Sequence, residues 1–349
     1  MRVSKEQDKR GVNSLESKIQ IAHGGGGRLS SELIKNEIVT RFGRGPLKDL
    51  PDAATVPFKS NSRLVMSTDS FVVHPVEFPG GNIGNLCVYG TVNDISVAGG
   101  RPRWFSLGLI LEEGLEISLL RKILDSVMKS ADECGIKIVT GDTKVVPKGL
   151  CDKIYINTSG MGEALEEFNL DRSKIKVGDK VIVSGNIGDH GMAVLCVREG
   201  IKIKNGPESD CGTVQRLVLA ARQYGGNVRF MRDPTRGGMA AVLNEIAENR
   251  KFGIMLDEKD IPYSPEARAV SEMLGLDLLS SPCEGRVIMI CASHVADKIV
   301  KKWRKLPEGR DSAVIGTVSG MGGKVAIKTL GGGTRLVDLP RGELLPRIC

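Results

Sequence analysis

Apolar residues along this chain follow strand and helix periods in two successive runs, each of an alternating α/β kind. Arg63–Val73 reads as a strand, with Leu64, Val65 and Met66 leading into Ser67-Thr68-Asp69. Gly84–Ala98 carries Leu86, Val88, Tyr89, Val92 and Ile95 at helical spacing and stops at Gly99-Gly100. Trp104–Leu111 reads as strand, Ser118–Cys134 as amphipathic helix, and Ile136–Val146 and Ile154–Met161 as strands. The polar stretch Glu163–Asp179, with its Gly178-Asp179 turn, marks a domain boundary. Beyond it, Lys180–Ser184, Gly253–Leu256, Arg286–Ile290 and Ser312–Val318 read as strands. Gly191–Arg198, Val214–Tyr224 and Gly237–Asn249 read as helices.

The expected organisation is an arm with a glycine-rich loop (1–39), an α/β domain (40–165), a second α/β domain (166–330) and a tail (331–349). Gly331-Gly332-Gly333 opens that tail, and Pro340 and Pro346 within it oppose helix. From Pro340 its last ten residues reach about 33 Å if extended.

The 349 residues, 41% hydrophobic, suffice for two proper cores. Forty-three glycines against fifteen prolines predict many tight turns and backbone-built sites. No apolar run reaches the roughly 18–20 residues of a membrane span. Met1–Gln20 is charged and has no apolar stretch, which predicts no signal peptide and a cytoplasmic protein. Net charge is +7, which suits an anionic ligand. With four Tyr, two Trp and no dense basic stripe, nucleic-acid binding is not expected.

The eight cysteines include no C-x-x-C pair, so neither a zinc site nor a disulfide framework is indicated. Cys349 differs from the rest by its place at the end of the tail. It is not a prenylation cysteine, which would stand fourth from the end. Its own α-carboxylate is expected to raise the thiol pKa, and Arg347 to lower it.

Several aspartates stand where strands end or turns begin: Asp52, Asp69, Asp94 and Asp142. Singly, each fits a cap or turn. Together they suit Mg²⁺ beside phosphate oxygens. Asp94, inside a helical stretch, is poorly explained as a cap. His23-Gly24-Gly25-Gly26-Gly27 is either a backbone cradle for an anion or a flexible linker. Arg232-Asp233-Pro234-Thr235-Arg236-Gly237-Gly238 precedes a helix; it suits either a phosphate or amide ligand at the helix N-terminus or plain capping. The chain has neither a Walker A sequence nor G-x-G-x-x-G, so a nucleotide site must be built another way.

Taken together, the motifs resemble the carbamoyl dehydratases of hydrogenase maturation. That family lies in the ATP-dependent superfamily of aminoimidazole ribonucleotide synthetase and selenophosphate synthetase. The resemblance runs from His23 to Cys349. It is carried by Phe78-Pro79-Gly80-Gly81-Asn82-Ile83-Gly84, Gly90-Thr91-Val92-Asn93-Asp94, Gly141-Asp142-Thr143-Lys144-Val145-Val146, Gly188-Asp189-His190-Gly191, Arg232 to Gly238, Leu243-Asn244-Glu245-Ile246-Ala247 and Leu345-Pro346-Arg347-Ile348-Cys349.

The resemblance implies two α/β domains, an N-terminal sheet that pairs into a homodimer, and a mobile tail. Cys349 would receive a carbamoyl group from a partner carbamoyltransferase. ATP would activate its oxygen, leaving a thiocyanate whose cyano group passes to an iron-carrying maturation complex for [NiFe]-hydrogenase. Asp52, Asp69, Asp94 and Asp142 would hold Mg²⁺ and ATP phosphates. His23 to Gly27, Asn93, Thr143, Arg232 and Asp233 would complete the nucleotide site. Lys144 and Glu284 would serve as bases near the thiol.

Two positions depart from the family pattern. Pro51-Asp52 replaces two adjacent acids, and Cys283-Glu284-Gly285 replaces Asn-Glu-Gly. The alternatives are selenophosphate synthesis, whose enzymes carry a reactive cysteine near the N-terminus where this chain has none before Cys87, or a non-catalytic ATP-binding scaffold.

Overall fold

The computed structural model describes residues 18–25, 28–43, 46–49, 53–54, 56–58 and 63–338. Gly26, Gly27, Pro51, Asp52 and the segment from 339 through Cys349 lie outside the described residues.

The N-terminal domain begins with helices α1 (Arg28–Leu33) and α2 (Thr40–Phe42), joined by a π-helical stretch, Ile34–Val39. The arm expected to end at residue 39 therefore runs on as helix, and it packs against the sheet. The domain continues through β1 (Leu64–Phe71), the two-residue strands β2 (Glu77–Phe78) and β3 (Gly81–Asn82), α3 (Ile83–Val97), β4 (Gly100–Glu112), α4 (Ile117–Cys134), β5 (Lys137–Val146) and β6 (Ile154–Ala164). The sheet order is β1-β6-β4-β5. Of its neighbouring pairs among the described residues, β4–β5 alone is parallel.

Helix α3 is apolar on nearly every side because it is enclosed on nearly every side. The Asn82 side chain caps it, accepting from Gly84 N–H at 2.8 Å, while Asn85 answers the Asn82 N–H at 2.7 Å. Helix α4 is amphipathic, burying Leu120, Ile123, Leu124 and Val127, and ends at Gly135 in the left-handed region.

The second domain contains β7 (Lys180–Val183), α5 (Asp189–Arg198), α6 (Gln215–Ala221), β8 (Val228–Arg232), α7 (Gly238–Ala247), β9 (Gly253–Asp257), α8 (Pro265–Leu274), β10 (Ile288–Cys291), α9 (Ser293–Trp303), β11 (Ala313–Ser319), β12 (Val325–Lys328) and β13 (Thr334–Leu336). Its sheet order is β13-β12-β9-β11-β7-β10-β8. The central strands are apolar at consecutive positions because both faces are covered. Val181 and Val183 join the core under α7, and Ile182 joins the core under α6 and α9.

Helices α8 and α9 lie outside the elements expected from the pattern. Helix α8 nevertheless carries local signals: Ser264 caps it, Pro265 opens it and Gly275 closes it at positive φ. The tail expected from residue 331 also needs correction. Thr334–Leu336 pairs antiparallel with β12, and Val337 is buried, so the second sheet holds the chain to that point. Among the described residues, no helix is long and apolar enough to cross a membrane.

Candidate functional site

Two local periods bring the first carboxylates together. Ser67 and Asp69 share one face of β1, because alternate strand residues do. Gly90 and Asp94 share one face of α3, four residues apart. The faces meet. Asp94 Oδ2 accepts the Ser67 hydroxyl at 2.6 Å. A methyl group on Gly90 would come within 2.8 Å of the Phe71 ring and 3.9 Å of Asp69 Oδ2, so glycine lets the helix approach the strand.

Asp233, immediately after β8, brings a third carboxylate from the other domain and is 8% exposed. Burial, followed by the Asp94 charge, pushes Asp69 up to about 6 against the pull of Arg236. Asp233 is pushed up to about 7 by burial and then by Asp94. Asp94 is raised by burial, with the Ser67 hydroxyl and Arg232 opposing. Such a cluster favours any cation that binds it. Arg232 is partly engaged elsewhere, its Nη2 lying 3.3 Å from Glu245 Oε2.

Among the described residues, no group of three His, Cys, Asp or Glu side chains is placed to enclose a metal ion alone. The donor set fits Mg²⁺ in its usual nucleotide role, held by one or two carboxylates with phosphate oxygens and water completing the shell. Asp69 and Asp94 are the carboxylates that would hold it.

Asp142 is not part of this cluster. Pairing aligns Asp69 with Thr158, Thr158 with Leu107, and Leu107 with Gly141. Asp142 falls in the next row, with Gly108, Asn157 and Ser70, on the opposite face and three strands away. There its Oδ2 lies 2.5 Å from Lys144 Nζ, and both side chains are exposed. The Lys144 bond, assisted by the Thr143 N–H, holds its carboxyl below the usual range. Thr143 turns to the covered face, where it lines a small cavity with Ile34, Ile38 and Leu47. The four aspartates expected to converge thus divide. Asp69 and Asp94 meet, Asp142 stands apart, and Asp52 lies outside the described residues.

His23, Gly24 and Gly25 form a turn docked on β5. His23 Nδ1 accepts from Gln20 N–H at 2.9 Å, and a Cβ on Gly24 would meet Val145 N at 2.8 Å. The Asn93 side chain is turned to the seam between the domains. It is 1% exposed, and it donates to the carbonyls of Gly212 at 2.9 Å and Glu284 at 3.2 Å. It also accepts from Val214 N–H at 2.8 Å. All three contacts cross to the second domain.

Glu284 is 4% exposed at that seam. Beside it, the Cys283 thiol accepts from Gly188 N–H at 3.1 Å, and burial holds its pKa far above the usual value. The other described cysteines are likewise raised by burial; Cys151, the least raised of those with a stated value, stands at about 11. Ser67 and Asp210 were not expected at the site. Ser67 could have been found from its two-residue spacing to Asp69, whereas Asp210 carries no local signal.

The chain matches the model of the AIR synthase related protein N-terminal domain over residues 51–164 and that of the C-terminal domain over 176–328. It is 40% identical over 338 residues to carbamoyl dehydratase HypE of Rhodobacter capsulatus, covering 96% of this chain and 99% of that one. A crystal structure of hydrogenase maturation protein HypE in complex with ATP superposes with a TM-score of 0.90 at 40% identity, covering 95% of this chain and 99% of the other. A HypE–HypF complex matches at TM-score 0.78 and 38% identity, covering 88% and 99%.

Proposed function

The chain belongs to the family of HypE carbamoyl dehydratases, and on that premise we propose that it uses ATP to dehydrate a carbamoyl group on Cys349 to a cyano group. The observation that carries this reading is the meeting of Asp69, Asp94 and Asp233 beside Arg232 and Arg236. That cluster has the charge pattern of a magnesium–triphosphate site.

An amide loses water reluctantly because its oxygen leaves poorly. In the proposed reaction the carboxamide oxygen takes the terminal phosphoryl group, and ADP departs. One amide proton leaves as the C=N bond forms; the second leaves as phosphate departs and the C≡N bond forms. Asp69 and Asp94 position the phosphates, and the arginines offset their charge. Mg²⁺, when bound, offsets charge on the transferring phosphoryl group. Glu284 takes one amide proton and the departing phosphate carries away the second; Lys144, ion-paired with Asp142, would act as a base only after giving up its own proton.

The open face of the N-terminal sheet supports the homodimer. Leu64, Met66 and Ile110 are exposed on it. Exposed apolar side chains interleaved with polar ones on an uncovered sheet face suit a pairing surface. Dimerisation through it would bring Asp142 and Lys144 to the boundary between protomers, where they would serve a shared site. The HypE–HypF complex supports a partner enzyme that loads the carbamoyl group. An iron-carrying maturation complex would accept the cyano group.

Selenophosphate synthesis fits less well. Cys87, the first cysteine, is fully buried, and its thiol donates to Gly84 O at 3.1 Å.

The test is intact mass. The carbamoylated full chain with ATP and Mg²⁺ should lose one water, and Cys349→Ser should yield no such product. Unchanged product from Cys349→Ser would overturn the reading. Tight nucleotide binding without loss of water would favour the scaffold.

A further inference from the structure

Glu284 is held by its backbone on both sides, and the two holders come from different parts of the molecule. Its N–H donates to Asp210 Oδ1 at 3.0 Å, and the next N–H, of Gly285, donates to Asp210 Oδ2 at 3.3 Å. Its carbonyl accepts from Asn93 Nδ2, on α3 of the first domain.

The Asp210 side chain is fully buried, with Arg286 Nε 3.5 Å from its Oδ2. Arg286 is itself anchored by donating to Asn186 O at 2.8 Å. The segment around Asp210 is pinned to both domains. Ser209 N–H donates to Pro79 O at 2.9 Å, and the Ser209 hydroxyl shares a hydrogen bond with His190 Nδ1 at 2.8 Å. Contact is so close that a Cβ at Gly285 would lie 1.9 Å from Asp210 O.

A carboxylate that bridges two successive N–H groups fixes the orientation of that peptide, and such charge-assisted bonds are strong. The direction in which Glu284 leaves the backbone is therefore set by Asp210. Asn93 sets its distance from the phosphate cluster, because the next residue on the same helix is Asp94. A misplacement of about 1 Å in a reacting group can slow chemistry about 100-fold.

We propose that Asn93 and Asp210 are positioning residues that hold Glu284 at a fixed place relative to the Asp69–Asp94–Asp233 cluster. Oxygen phosphorylation and proton removal then act on one bound carboxamide. This rests on the reading of Glu284 as a base.

The experiment compares Asp210→Asn, Asn93→Ala, Glu284→Gln and the doubles with Glu284→Gln. The carbamoylated full chain is assayed for thiocyanate formation against ATP. Asp210→Asn keeps the side-chain shape but cannot accept from both N–H groups; Asn93→Ala provides an independent variant should the first fail to fold. Each should lower kcat about 10- to 100-fold with the KM for ATP within about twofold. Each double should be no slower than Glu284→Gln alone, the non-additivity of residues acting through one group. Unchanged kcat, a joint fall of kcat and ATP affinity, or fully multiplicative doubles would overturn the proposal. Full activity of Glu284→Gln would remove the base reading and this proposal with it, while leaving the reading of the phosphate cluster intact.

Discussion

Asp69 and Asp142 lie on opposite faces of one four-stranded sheet, on its two edge strands. Their separation follows from register alone, since one residue of offset reverses the face. Asp69 serves the face covered by α3, and Asp142 serves the face that α3 leaves open. On our proposal that the open face pairs two protomers, a site that uses both carboxylates would draw on more than one copy of this chain.

Introducing a charge on the open face tests that consequence. Met66 is 68% exposed there. Met66→Lys should shift the protein from dimer to monomer in light scattering, with secondary structure by circular dichroism unchanged. A dimer unaffected by the substitution would place the interface elsewhere.

Asp69→Asn and Asp94→Asn should separate binding from stability. Each removes one charge from a repelling cluster, so the melting temperature at neutral pH should rise. Each also removes an oxygen donor for Mg²⁺, so affinity for magnesium–ATP should fall about 10-fold or more, roughly 1.4 kcal/mol. Calorimetric titration and thermal melts read the two effects. Loss of both together would point to a folding role for the carboxylates.

The pH dependence of stability has a definite sign. A carboxylate whose folded pKa is raised favours the folded state below the unfolded value of 3.8, and that contribution is lost as pH rises through the folded value. Asp69 and Asp189 at about 6, and Asp233 at about 7, therefore lower stability as pH rises. His190 acts in reverse. Burial lowers it from 6.5 to about 4, so its contribution is lost as pH falls through that window. At pH 6.5 unfolded His190 is still half protonated, and its opposing effect fades over about one pH unit above that, so the slope above about pH 7 belongs chiefly to Asp233. The melting temperature should fall between about pH 7 and about 8, and less steeply in Asp233→Asn. Equal slopes for the two proteins would remove Asp233 as the cause.

Gly285→Ala should be poorly tolerated. Its Cβ would overlap Asp210 O, so the loop must shift. Overpacking of this kind costs about 1–3 kcal/mol. Denaturant unfolding should show that loss, and thiocyanate formation should fall with it.

Much of the first domain was legible in the chain. The α3 and α4 spans expected from apolar spacing match the observed ones within about two residues, as strong periods and glycine stops permit. The carboxylates of the cluster were partly legible. Asp94 stood out because a helical aspartate has no capping role, and the helix indeed holds it against Ser67. The seam contacts of Asn93 were not legible. No local pattern states that an amide will face Gly212, Val214 and Glu284, up to 191 residues away.

The chain by itself determined the periods, the caps and the residue types available for phosphate and thiol chemistry, because these depend on neighbours a few positions away. Only the tertiary structure decided which acids meet. Strand register and the crossing of α3 over β1 bring Asp94 to Ser67 and Asp69, the return of β8 adds Asp233, and the same register sends Asp142 to the other face. Those outcomes depend on contacts between distant segments, where one residue of offset reverses the result.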